Sequence, residues 1–199
     1  DLVYSDGQTP ITAADYVFSY LLGASNEVAQ LGAQTTQYEH IVGYEEYSSG
    51  ESSVFSGVRL LSEYSYSITV KGAYQPFFYN YAYLRTNPYP ISVLAPGCAV
   101  ADDGDGAYLT SANPEGGEAP FGVDLLQETI LNEETGYRSH PSLTSGPYTL
   151  TAYDAESGQV DFAINPYFKG NYEGVKPVID TITLVPVLPE TMVAQLESG

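Results

Sequence analysis

At 199 residues the chain has room for a substantial core in one or two domains. Its 25 acidic and 6 basic residues give a formal charge of −19, which opposes binding to nucleic acid or anionic lipid. A 43% hydrophobic fraction with 19 tyrosines argues against disorder, and a single cysteine, Cys98, rules out an internal disulfide.

Ser5-Asp6-Gly7 marks a turn, and Thr12 then has the character of a helix N-cap. Asp15, three residues on, is spaced to accept from the cap's backbone N–H. Ala13, Val17, Tyr20, Leu21 and Ala24 fall on one face of the helix that follows. From Asn26 to Tyr47 the pattern is less regular and predicts two short helices. Ser48 to Ser56 is a Ser/Gly-rich loop, and Gly57 to Val70 predicts a hairpin buried through Tyr66, Ile68 and Val70. Pro76 is suited to the first turn of a short aromatic helix over Phe77 to Leu84. Asn87-Pro-Tyr-Pro-Ile-Ser reads as extended, because a residue before proline is pushed out of helical space.

Glycine, proline and acidic residues accumulate from Ala95 to Ala119, which predicts a long loop. Val123 to Asn132 has helical spacing at Leu125, Leu126, Thr129 and Ile130. A second hairpin is the clearest local signal in the chain. Tyr148, Leu150 and Ala152 alternate along one strand, Val160, Phe162 and Ile164 along the other, and Asp154 to Gly158 supplies the turn. A strand at Ile179 to Val185 and a short helix from Glu190 complete the chain. Local strand pairs mixed with helices, without βαβ alternation, define an α+β class. No apolar run reaches the roughly eighteen residues that crossing a bilayer requires.

The residues that could carry chemistry have ordinary explanations. Asp102 to Asp105 could wrap a calcium ion, but the full loop needs a bidentate Glu at about its twelfth position. Asn113 or Pro114 falls there, so a solvated acidic loop is the preferred reading. His40 and His140 lack metal-ligand spacing. Cys98 has no basic neighbour to activate a thiolate and precedes three aspartates, so a structural thiol is expected. Glu45-Glu46 and Glu133-Glu134 would need a defined separation and unlike environments to work as an acid/base pair. No serine sits in a nucleophile elbow. The chain therefore reads as no enzyme, with no catalytic residue, cofactor or bound metal. Tyr74, Tyr79, Tyr81, Tyr83 and Tyr89, with Phe77 and Phe78, could form a stacking platform, although core and interface use is the preferred reading.

Four segments carry a family resemblance. Tyr4-Ser-Asp-Gly-Gln-Thr-Pro-Ile-Thr-Ala-Ala-Asp-Tyr-Val-Phe-Ser19 and Gly57-Val-Arg-Leu-Leu-Ser-Glu-Tyr-Ser-Tyr-Ser-Ile-Thr-Val70 are the first two. The others are Ser145 to Tyr153 with Gln159 to Phe168, and Lys176 to Pro186 with the closing Gln195 to Gly199. In order and content they resemble the solute-binding proteins of peptide and nickel ABC importers, a type II periplasmic-binding-protein-like architecture. Residues about 99 to 139 show no counterpart. In that family an N-terminal lipoprotein or secretion signal and several strands precede the Ser-Asp-Gly element. The resemblance thus implies a piece of the first lobe of a longer, monomeric, extracellular or periplasmic receptor. Residues 1–140 would form the small subdomain and 141–199 the return to the main sheet, with the second lobe outside the chain. The implied partners are a short peptide or similar solute and a membrane permease. Some members touch ligand with a tyrosine after the first helix. Val28 to Gly32 has none here, so Leu31 and Gly32 are the expected ligand-proximal positions by analogy alone. A tyrosine-rich adhesion module is the alternative.

Overall fold

Helix α1 (Ala13–Ala24) begins where the Asp15 carboxylate accepts the Thr12 backbone N–H at 2.8 Å and its hydroxyl at 3.2 Å. The structure, a computed structural model, describes residues 2–75, 79, 82 and 85–198. Of the aromatic helix expected over 77–84, all but Tyr79 and Ala82 lie outside the described residues.

One apolar face was expected on α1, and two are found. Val17, Tyr20, Leu21 and Ala24 pack with Ile41, Phe55, Val58 and Ala107 in a first core cluster. Phe18 and Leu22, on the other side, join Leu94, Ala95, Cys98 and Leu126 in a second. A helix apolar nearly all round must be enclosed nearly all round. Helix α1 is therefore the wall shared by both cores.

Ser25 ends α1 and caps α2 (Asn26–Gln30), its hydroxyl accepting the Val28 N–H at 3.2 Å. A 3₁₀ turn at Thr36–Tyr38 and helix α3 (Tyr44–Ser48) follow, so three short turns of helix stand where two were expected. Strands β1 (Val58–Ser62) and β2 (Ser65–Ile68) form the first hairpin, with Val58 opposite Ile68 and Leu60 opposite Tyr66. Gly57 leads into it so tightly that a Cβ there would lie 2.3 Å from the Val42 carbonyl oxygen.

After the short helix α4 (Ile91–Leu94) the expected long loop is replaced by a hairpin. Strand β3 (Cys98–Asp102) pairs antiparallel with β4 (Ala107–Ser111), from Cys98 opposite Ser111 to Asp102 opposite Ala107. The acidic Gly run is only its turn, in which Asp102 Oδ1 accepts the Gly104 N–H and Asp103 Oδ1 the Asp105 N–H. Val100 and Leu109 pack against both core clusters. Helix α5 (Val123–Leu126) continues as a π turn over Gln127–Leu131.

Strands β5 (Tyr148–Tyr153), β6 (Val160–Ile164) and β7 (Thr181–Leu184) form an antiparallel sheet in that order. The Asn165 side chain fastens the loop behind β6: Nδ2 donates to the Gly146 carbonyl and Oδ1 accepts the Tyr167 N–H. Helix α6 (Met192–Ser198) ends the described chain. Both cores are drawn from residues before this sheet, whereas Val178, Leu188 and Leu196 near the C-terminus are 91%, 68% and 78% exposed. The mixed, locally paired architecture is the expected α+β class.

Candidate functional site

A cavity of about 330 Å³ opens between the end of α1, α2, the 3₁₀ turn and the residues after the π turn. Its walls include Leu22, Val28, Tyr38, Tyr89 and Tyr137, with Arg138 on the lining as well. Each wall is set by the packing just described. Leu22 comes from the second face of α1, and Val28 leans on the second core. The Tyr38 ring meets Tyr20 edge-on at 5.6 Å. It also lies against bare backbone at Gly23, where a Cβ would come within 2.5 Å of the ring. The Tyr137 hydroxyl donates to the Leu143 carbonyl, and its backbone N–H to Thr129 at 2.8 Å.

Burial pushes the Tyr38 and Tyr137 hydroxyls up to about 12, and proximity to Tyr89 adds to it. The tyrosine side of the pocket is therefore uncharged and largely apolar, and Arg138 carries the charge on its lining. Arg138 is exposed and makes no ion pair among the described residues, unlike Arg59 and Lys71, which hold Asp102 and Glu45.

The two positions expected near ligand separate in character. Leu31 packs against the second core cluster. Gly32, at the end of α2, has φ +86°, and nothing lies within 4 Å of where its Cβ would be. It presents bare backbone to open space, and the next residues, Ala33 and Gln34, line the cavity.

The other candidates are accounted for structurally. Asp102 spends its carboxylate on Arg59 and two backbone N–H groups, and among the described residues no group of three potential ligands is placed to hold a metal. His40 is buried and meets Tyr74 edge-on, while His140 contacts the Glu133 carbonyl and the Tyr153 ring. Cys98 opens strand β3, and burial raises its thiol pKa. Glu45 is tied to Lys71, and Glu133-Glu134 line a separate groove with Asp124 and Glu128. The expected tyrosine platform divides: Tyr74 bonds Glu39 beside His40, and Tyr89 belongs to the cavity. Phe77, Phe78, Tyr81 and Tyr83 lie outside the described residues. Tyr38, Tyr137 and Arg138 carry no sequence motif. The one signal for any of them is that Arg138 is among only six basic residues.

Comparison with known proteins gives one answer throughout. The middle region of family 5 of the bacterial extracellular solute-binding proteins matches residues 1–199. That match includes 99–139, where no counterpart was expected. The periplasmic oligopeptide-binding protein OppA of Escherichia coli K12 is 30% identical over 95 residues, 47% of this chain and 17% of that protein. Among solved structures, lactococcal OppA complexed with an endogenous peptide in the closed conformation superposes with TM-score 0.64 at 23% identity, covering 99% of this chain and 30% of that one. Haemophilus influenzae OppA, solved in complex with RPPGFSPFR, gives 0.58 at 17% identity over 100% of this chain and 31% of that one. The chain thus spans under a third of the length of the relatives it matches. The adhesion-module alternative is not favoured by these matches. On the whole-chain match, this protein belongs to family 5 of the bacterial extracellular solute-binding proteins.

Proposed function

We propose that the chain is part of the first lobe of an extracellular receptor that captures short peptides for an ABC importer, without covalent chemistry. The observation that carries this is the family match along all 199 residues. The fold similarity to a peptide-loaded, closed relative supports it. In such a receptor two lobes close on the solute because the closed state binds it better.

Residues 1–140 make the small subdomain in this reading and 141–199 return to the main sheet of the lobe. Support comes from the cores, which draw on the first part, and from the exposed apolar side chains after Tyr167, which await cover from the rest of the protein. Gly32 approaches the ligand through its open backbone and Leu31 holds that backbone in place. The receptor works as a monomer in the periplasm or at the cell surface, as a lipoprotein in the latter case. Isothermal titration calorimetry tests the proposal. The full-length parent is expected to bind a short peptide with micromolar Kd or tighter, and the 199-residue chain alone is not, because one wall of the cleft is missing. Tight binding by the isolated chain, or none by the parent, would overturn it.

A further inference from the structure

The receptor reading leaves open which part of a ligand this subdomain meets, and the tyrosine-lined cavity narrows that choice. Its volume, about 330 Å³, is at the low end for a ligand site and suits one bulky side chain better than a whole peptide. Leu22, Val28 and the rings of Tyr38, Tyr89 and Tyr137 favour an apolar guest, and fixed rings lose little entropy on contact. Gln34 and Gln37 add amide groups suited to a peptide backbone. Arg138 adds the charge. In a chain carrying −19, its guanidinium has no acidic partner among the described residues. An unpaired guanidinium beside an apolar pocket complements a planar carboxylate.

We propose that this cavity receives a bulky apolar side chain of the peptide, whose free C-terminal carboxylate pairs with Arg138. The assignment rests on the receptor reading and adds a ligand class to it: peptides ending in a large apolar residue.

The test uses two probes, N-acetyl-L-phenylalanine and its C-terminal amide, titrated into the 199-residue chain and followed by backbone amide NMR shifts. The acid is expected to bind about fivefold tighter than the amide, the strength of a partly exposed ion pair. Arg138→Gln should weaken the acid to the level of the amide and leave the amide unchanged. Ala33→Trp, on an exposed lining residue, should abolish both with the fold intact by circular dichroism. Equal binding of acid and amide, or binding indifferent to Ala33→Trp, would overturn the assignment. Repeating Ala33→Trp in the full-length parent separates the two readings. Undiminished peptide binding there overturns the pocket and leaves the receptor standing, whereas no peptide binding by the unsubstituted parent overturns both.

Discussion

Replacing Asp102 with asparagine should destabilise the fold by about 2 kcal/mol near neutral pH, and by less as the pH falls. This side chain closes strand β3 of the β3–β4 hairpin and serves strand β1 of the hairpin before it. Its carboxylate accepts Arg59 Nε and Nη2 at 2.8 Å each, the Leu60 N–H at 2.9 Å and the Gly104 N–H at 2.8 Å. Only 7% of the Asp102 side chain is exposed, against 30% of Arg59. The Arg59 guanidinium, and then the Gly104 and Leu60 N–H groups, hold its pKa down from 3.8 to about 2. That drop corresponds to about 2.4 kcal/mol. Solvent screening at the exposed side of the pair trims it to about 1–2 kcal/mol. Leaving the guanidinium against a neutral amide adds back several tenths, hence about 2 kcal/mol in all. The sign follows from the depressed folded pKa. As the pH falls, the unfolded chain takes up its proton first, so the contribution is full above about pH 5 and disappears towards about pH 2. Urea denaturation of both proteins, followed by tyrosine fluorescence from about pH 7 to pH 3, measures the difference. A gap under about 0.5 kcal/mol at neutral pH, or one constant over that range, would refute the reasoning.

Phe55→Ala removes a fully buried ring stacked on Tyr47 at a 4.9 Å centroid distance, and should cost about 3–5 kcal/mol in the same denaturation assay. Gly57→Ala forces a methyl to within 2.3 Å of the Val42 carbonyl oxygen, a backbone atom that cannot rotate away. Its midpoint should fall by the equivalent of about 1–3 kcal/mol, and an unchanged midpoint would show that the approach to β1 is looser than described.

Much of the scaffold was readable from residues alone. Thr12 and Asp15 announced α1 because the cap requires that spacing, and both outer hairpins form where apolar alternation predicts strands, although burial along β5 and β6 does not itself alternate. The β3–β4 hairpin was hidden because its strands are five residues each, interrupted by an acidic Gly turn whose composition resembles a solvated loop. The second face of α1 was equally obscure, since Phe18 and Leu22 acquire a partner only once Leu94 and Leu126 arrive from distant sequence. The cavity was illegible for the same reason. Tyr38, Tyr89 and Tyr137 stand about fifty residues apart, and only the closed fold assembles them. Leu31 and Gly32 came from family resemblance alone, with no residue pattern of their own to single them out.

The most direct measurement of the central claim is native mass spectrometry of the full-length parent, purified without added ligand. The receptor account expects a family of bound species whose masses, after release by denaturation, are those of short peptides. A protein that carries only a non-peptide solute, or stays empty when offered peptide mixtures, would contradict it.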